Sequence, residues 1–392
     1  MNILGIIAEY NPFHNGHLYH LNSAKLKVNA DYTICVMSGN FIQRGEPALI
    51  NKFIRSDMAI KNGIDLVIEL PVYYSNATAE KFAYAGVKLL NECNANFISF
   101  GCESDDIQTL TSVSNLLSNE TYEYQNELKK HLNLGLSYPD ARSKTISKLL
   151  NISAHILNQP NNVLAIEYLK AISKINPEIT PVPIQRVDSN YYDTDSKTNI
   201  LSATGIREKL KNSEDIDIFL PQNSLNLLEN PIFMQDFEQL ILFSLRKLSI
   251  DDLKNLPDVT EGLENRIFSA IIASSTLSEL IDKIKTKRYP LTRIKRILIS
   301  ALLSLSKETL TLFDKLGGPQ YLRVLGCNEK GKELLSLISK KSTLPIVTSI
   351  NKFLYTASEP QKEMLSKDIL ATNIYTLISK DKTMNLDYTR RI

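Results

Sequence analysis

The sequence predicts an α/β fold: a Rossmann-like parallel sheet in the first half, followed by a mainly α-helical second half. Three observations carry that expectation. The chain opens with an apolar run of strand length, Ile3 to Ala8, which turns at Asn11-Pro12 into a helix-like pattern bearing Leu18, Leu21 and Ala24. Short apolar runs and helical patterns then alternate as far as Ile184, the order of a parallel sheet joined by right-handed crossovers. Beyond Pro221 and Asn223 the pattern is nearly all helical, so one domain is expected over 1–220 and a second over 221–392.

Each element follows in turn. Tyr32 to Met37 reads as the second strand, closed by Ser38-Gly39-Asn40, and a helical stretch runs near Lys52 to Asn62. Asp65 to Pro71 is the third strand, Ala79 to Asn91 a helix with Phe82, Ala83, Val87 and Leu90 at helical spacing, and Phe97 to Glu103 the fourth strand. Ile107 to about Leu150 is helical in pattern, and Pro160-Asn161-Asn162 opens a further helix. Ile179 to Ile184 resembles a strand whose Pro181 and Pro183 suit an edge. The polar segment Val187 to Asn199 reads as a mobile loop, and Leu201 to Arg207 begins another helix. In the second half Phe237 to Leu248, Leu263 to Ala273 and Leu277 to Lys285 are helical.

Composition bounds the function. Apolar residues at 43% and charged residues at 22% describe an ordinary globular chain of 392 residues, and a net charge of +2 leaves any nucleic-acid surface to local clustering. Cys35, Cys93, Cys102 and Cys327 show no paired metal-ligand or disulfide spacing, so they read as buried hydrophobes or free thiols in a reducing compartment. No 18-residue apolar run and no signal-peptide pattern is evident, so a cytoplasmic protein without a membrane partner is expected.

Chemistry concentrates at strand ends, where open α/β sheets place their ligands. His14-Asn15-Gly16-His17 stands at a helix start, where backbone N–H groups and the helix dipole favour an anion. Gly16 would let a phosphate approach the main chain, and His14 and His17 would donate to its oxygens. Two histidines that happen to flank a glycine are the competing reading. The loop Ser38 to Pro47 carries Asn40, Gln43, Arg44 and Glu46, much polar capacity for a connection, against the reading of a solvated loop. Gly101 at a strand end would admit a base or ribose, or merely make a turn. Asn161 or Asn162 would serve as an N-cap. Arg186 lies just past the fifth strand. Ser202, Thr204 and Arg207 gather hydroxyls and a guanidinium at a helix start, suited to a triphosphate, or are a plain cap beside an exposed Arg. Lys285, Lys287, Arg288, Arg293, Lys295 and Arg296 form a basic cluster around Tyr289, suited to an RNA backbone and an unstacked base, or else a solvated face.

His14-Asn15-Gly16-His17 after the first strand, with Ser202-Ala203-Thr204-Gly205-Ile206-Arg207 at a late helix start, resembles the HxGH nucleotidylyltransferase superfamily. More narrowly, Ala8 to His17 and Ser38 to Pro47, extended by Pro160 to Tyr168 and Glu261 to Arg266, are similar to the bacterial tRNA(Met) cytidine acetate ligase family over essentially the whole chain. The resemblance implies a sheet of the HxGH type and an enzyme that activates acetate with ATP, with Mg²⁺ accompanying it, to acetyl-adenylate. The acetyl group then passes to N4 of the wobble cytidine of elongator tRNA(Met). It implies an ATP site of Ile7, Ala8, Glu9, Tyr10, Asn11, Pro12, Phe13, His14, Asn15, Gly16, His17, Leu18, Tyr19 and His20, with Gly101, one of Asn161 and Asn162, and Arg186. Ala203 departs from the superfamily, where a second serine is common. His14 and His17 take the catalytic role, and no metal-ligand set is legible. The other functional classes are an adenylyltransferase making a small nucleotide cofactor and a non-catalytic RNA-binding protein.

Overall fold

The structure, a computed structural model, describes residues 1–103, 106–186, 199–260, 262–380 and 382–390. The segment expected as a mobile loop falls almost entirely outside these residues, as does Glu261. A seven-stranded sheet in the order β7-β6-β1-β2-β5-β8-β9 organises the fold. Its strands are β1 (Ile3–Ala8), β2 (Tyr32–Ser38), β5 (Leu66–Leu70), β6 (Phe97–Cys102), β7 (Thr180–Gln185), β8 (Leu322–Cys327) and β9 (Ile346–Val347). A two-stranded hairpin, β3 (Phe41–Ile42) with β4 (Glu46–Pro47), stands apart from it.

β7, β6, β1, β2 and β5 are mutually parallel, with Ile6 opposite both Cys35 and Ser99. Both faces of β1 are covered, which is why it reads as an unbroken apolar run. Ile6 packs with Leu21, Cys35 and Val67, and Leu4 with Ala24 and Val182, beneath the helix Asn15–Val28. Ile3 and Ile7 face the helix Ala79–Glu92. Contact there is close: a Cβ on Gly5 would meet Leu90 at 2.7 Å, and one on Gly86 would meet Ile7 at 2.7 Å. β7, with its prolines, is the expected edge.

From β1 the chain builds outward through β2 and β5, then crosses to β6 on the other side of β1. The crevice at this reversal, between the carboxyl ends of β1 and β6, is where such sheets hold ligands.

The second half is mainly helical, as expected, with two short strands besides. Its helices Glu238–Arg246, Leu263–Ile272, Leu277–Ile284 and Leu291–Leu302 pack into the same apolar core as the sheet. Residues 322–327 and 346–347, however, return as β8 and β9, with β8 antiparallel to β5. A short apolar run cannot be told from a buried helix by periodicity, and β8 is fixed by a partner far away in sequence.

A buried charge network ties this return to the sheet. Lys52 Nζ lies 2.7 Å from Glu69 and 2.8 Å from Asp387, while Arg323 lies 3.3 Å from Glu69 and 2.8 Å from Asp387. Two cations and two anions thus neutralise one another away from water, which buried charges require. Asp368, on the helix Glu359–Ile378, accepts from the Val72 N–H at 2.7 Å and from the Tyr321 hydroxyl. The four cysteines are unbridged. Among the described residues no helix is long and apolar enough to cross a membrane.

Candidate functional site

The chain leaves β1 through a cis Asn11-Pro12 bond, with Tyr10 at positive φ, and enters the helix Asn15–Val28 at His14. His14 caps that helix itself. Its Nδ1 accepts from the Gly16 N–H at 3.0 Å, and its backbone N–H donates to His17 Nδ1 at 3.4 Å. The two imidazoles stack with centroids 3.8 Å apart and planes 30° apart. Gly16 is therefore needed first for the ring above it, because a Cβ there would lie 2.8 Å from His14 Cε1. Its N–H, one of the helix-start donors expected to favour an anion, is taken by that ring.

These histidines line a cleft of about 410 Å³ in the crevice between β1 and β6. Ile7, Ala8, Glu9, Tyr10, Tyr19 and His20 line it from the first strand and helix. Gly101, Asn161, Arg186, Ser202, Thr204 and Arg207 close it from the other elements. Five segments distant in sequence thus meet around one space.

Burial sets the protonation of the imidazoles. It pushes the His14 pKa down to about 3, assisted by the Arg186 and Arg207 charges. His17 is held well below the ordinary range by burial and by His14, Arg186 and His20, with a hydrogen bond to the Pro12 backbone opposing. His20 falls to about 4, again through burial and Arg186. All three are neutral at pH 7. Because Nδ1 of His14 accepts, its proton sits on Nε2, which is the donor left for a ligand. Ser99 donates its hydroxyl to the Val182 carbonyl and so accepts from His20 Nε2 at 2.9 Å, which fixes that tautomer too.

The other expected residues divide. Arg207 donates to the Asn11 carbonyl at 3.0 Å and to Thr204 Oγ1 at 3.2 Å, which pins its guanidinium at the cleft wall. Ser202 caps its helix, Ala203–Lys211, by accepting from the Gly205 N–H at 3.1 Å. Above Gly101, a Cβ would meet the Arg186 stem at 3.4 Å, so that side chain shares the space expected for a base or ribose.

Asn161 faces the cleft, whereas Asn162 is fully buried and holds Gln159, the Ile156 carbonyl and the Glu103 N–H. Neither caps its helix. Glu103 does so from outside, accepting from the N–H groups of Asn161 at 3.1 Å and Asn162 at 2.8 Å. Asn11, Pro12, Phe13, Asn15 and Leu18 do not line the cleft. Asn11 Oδ1 accepts from the Leu49 N–H at 2.6 Å, Phe13 and Leu18 pack in the core, and Asn15 donates to the carbonyls of Asn199 and Ile218.

The basic cluster is more dispersed than expected. Arg296 is buried against Asp258, Lys295 is paired with Glu46, and Arg293 donates to Asp258 and Thr260. Tyr289 is buried under Arg293, so it is not a platform for an unstacked base. Lys285, Lys287 and Arg288 remain exposed.

A profile of the family described as HIGH nucleotidyl transferase matches residues 1–390. Proteins named tRNA(Met) cytidine acetate ligase are 44% identical to this chain in Thermoanaerobacter sp. (strain X514) and 42% in Clostridium perfringens, over 99% of this chain and 98% of each relative. The chain belongs to the tRNA(Met) cytidine acetate ligase family. A crystal structure of Thermotoga maritima TmcAL bound with alpha-thio ATP matches it with a TM-score of 0.92 at 33% identity, covering 99% of this chain and 98% of that one.

For a ligase-family cleft, three parts of the lining were not singled out from sequence for the nucleotide site. Gln43 and Arg44 come from the tip of the β3–β4 hairpin, and the aromatic wall is Phe82, Phe100 and Tyr168. The polar richness of the 38–47 loop was a signal for the first two. Phe82, Phe100 and Tyr168 sit at ordinary core spacings and carry no such signal.

Proposed function

We infer that the protein is an ATP-dependent ligase that joins acetate to a cytidine of tRNA(Met) through acetyl-adenylate. The observation that carries this reading is the convergence of stacked, neutral His14 and His17 with Arg186 and Arg207 around one cleft at the sheet's reversal. The finer statement, transfer to N4 of the wobble cytidine of the elongator tRNA, rests on the family resemblance.

The first step suits these groups. Acetate, with an acidity like that of a Glu side chain, about 4.3, is ionised at neutral pH and needs no base. The barrier is repulsion between a carboxylate and the α-phosphate. Neutral imidazoles that donate an N–H, with guanidinium groups beside them, relieve it by stabilising charge on the phosphoryl oxygens and the departing pyrophosphate. Ser202, Thr204 and Arg207 are assigned to the β and γ phosphates. Among the described residues no three His, Cys, Asp or Glu side chains gather as a metal cage. A Mg²⁺ ion accompanying ATP would be held chiefly by phosphate oxygens and water, with no more than one or two protein carboxylates.

The tRNA is assigned to the 221–392 half, through Lys285, Lys287 and Arg288 at its surface, and the domain division near residue 221 goes with that assignment. The deciding experiment is incubation with ATP, isotopic acetate and bulk tRNA, followed by mass spectrometry of the nucleosides. Label in N4-acetylcytidine supports the ligase reading. Label absent from the tRNA, with acetate-independent adenylyl transfer to a small metabolite, would replace it.

A further inference from the structure

The second step requires something the first does not. An exocyclic amine must lose a proton as it attacks the acetyl carbonyl, so a lone pair must be available in the cleft. The imidazoles are poorly placed to give one. His14 has Nδ1 on the Gly16 N–H and its proton on Nε2, His17 takes the His14 N–H on Nδ1, and His20 donates Nε2–H to Ser99 while burial and Arg186, which lower its pKa to about 4, make its remaining Nδ1 lone pair a weak base. Tyr10 and Tyr168 are phenols that burial keeps protonated.

One carboxylate lines the cleft among the described residues, and it is Glu9, at the carboxyl end of β1. A carboxylate facing a nucleotide of about four negative charges is repulsive and needs a compensating purpose. Its placement is built rather than incidental. Oε1 accepts from the Gln43 N–H at 3.0 Å, and among the described residues no hydrogen bond or ion pair engages Oε2. Gln43 is fixed in turn, since its side chain donates to the Ala77 carbonyl at 3.1 Å.

We propose that Glu9 is the general base of the transfer step, its Oε2 taking the proton of the cytidine N4 amine as that amine attacks the acetyl carbon. The proposal rests on the ligase reading above. The N4 lone pair forms the C–N bond, the bond between the acetyl carbon and the phosphate oxygen breaks, AMP leaves with that electron pair, and Glu9 later returns the proton to water. No other reactant is required.

The surroundings fit the task. Burial raises the Glu9 pKa, opposed by the Gln43 N–H and by the charges of Arg44, Arg207 and Arg55. A carboxyl lifted by burial is a stronger base than a solvated one, and the guanidinium groups favour its ionised form against that burial. The charged and titratable groups around it are Arg44 on the hairpin, Arg55 on the helix Lys52–Lys61, Arg207 on the helix Ala203–Lys211 and Tyr168 on the helix Pro160–Ile175.

The test is single-turnover transfer from synthetic acetyl-adenylate to a tRNA(Met) transcript, with Glu9→Gln and Glu9→Asp compared with the unmodified protein. Gln keeps an acceptor for the Gln43 N–H but cannot take the proton. The expected result for Glu9→Gln is a transfer rate lower by roughly 10²–10⁴-fold. The rise in rate with pH, present in the unmodified protein and restored in Glu9→Asp, should be lost, and acetate-dependent ATP–pyrophosphate exchange should fall far less. Transfer at the unmodified rate, or transfer and exchange falling by the same factor, would overturn the proposal. If the unmodified protein forms no N4-acetylcytidine, the ligase reading itself fails, which is a separate outcome.

Discussion

His14 and His17 are neutral because they are buried beside arginines, and each neutral ring keeps one N–H to donate. Replacing either with Ala should lower acetate-dependent ATP–pyrophosphate exchange by roughly 10²–10³-fold, the usual loss for one oxyanion donor. Nitrocellulose filter binding of tRNA should change little, and exchange that survives would remove the histidines from catalysis. The same burial has a cost in acid. His14 and His20 have pKa values lowered from 6.5 to about 3 and about 4, so between those limits the unfolded chain binds protons that the folded one refuses. Their contribution is complete above pH 6.5 and is lost as pH falls toward 3. Asp368 runs the other way: burial and the Glu69 charge lift it from 3.8 to about 7, so its term weakens as pH rises through that window. Glu9, raised by burial, runs the same way as Asp368; with His17 also lowered, three histidines outweigh these two carboxyls, and Tm measured by circular dichroism should fall between pH 6.5 and pH 4. At this scale the sequence announced the motif but not the use of Gly16, whose absent Cβ makes room for a neighbouring ring rather than for a ligand alone.

Among the elements, the β3–β4 hairpin matters most for its size. Gly45 has φ +73°, and a Cβ there would lie 2.2 Å from the Arg296 backbone nitrogen on the helix Leu291–Leu302. Lys295, on the same helix, pairs with Glu46. The hairpin is therefore clamped to the helical half while Gln43 and Arg44 reach into the cleft. Gly45→Ala should destabilise the protein by more than the roughly 1–3 kcal/mol of a strained backbone conformation, because the clash adds to it. Urea unfolding checks the stability, and exchange activity should fall as Gln43 and Arg44 move; unchanged values would show that the hairpin is not clamped. Two-residue strands leave no periodic trace, so the loop's polar content was legible and its shape was not. β1, β2, β5 and β6 were legible because each is a run of mostly buried apolar residues, and β7 because its prolines mark an edge. β8 escaped because nothing local distinguishes Leu322–Cys327 from a helical segment.

Across the whole molecule, the two halves share one core and one buried charge network. Asp387→Asn would leave Lys52 and Arg323 facing Glu69 alone, a net buried charge expected to cost about 3–5 kcal/mol. A shift in the urea midpoint at constant m-value measures it, and a loss below 1 kcal/mol would show the network to be solvated. The surface of the helical half makes its own prediction. Lys285→Gln combined with Lys287→Gln should weaken tRNA binding and flatten its salt dependence, by about 0.7 to 0.9 in slope per phosphate contact removed. Unchanged binding would return those lysines to a solvated face. Sequence alone grouped six cations here. It could not show that Arg296 and Lys295 are spent on Asp258 and Glu46, since those partners lie far along the chain.

The network also reaches the loop that follows β2. Glu69 lies against Gly39, where a Cβ would meet its Oε1 at 2.7 Å, and the Lys52 N–H donates to Asn40 Oδ1 at 2.7 Å. Asn40 in turn donates to Thr372, on the long helix near the chain's far end. During translation, then, the ribosome delivers Lys52 and Glu69 early as a matched pair beside the histidines, and the second pair, Arg323 with Asp387, joins them only when the later part of the chain has been made. A chain stalled between those last two residues would carry the nucleotide motif beside two buried cations, Lys52 and Arg323, that share the single carboxylate of Glu69.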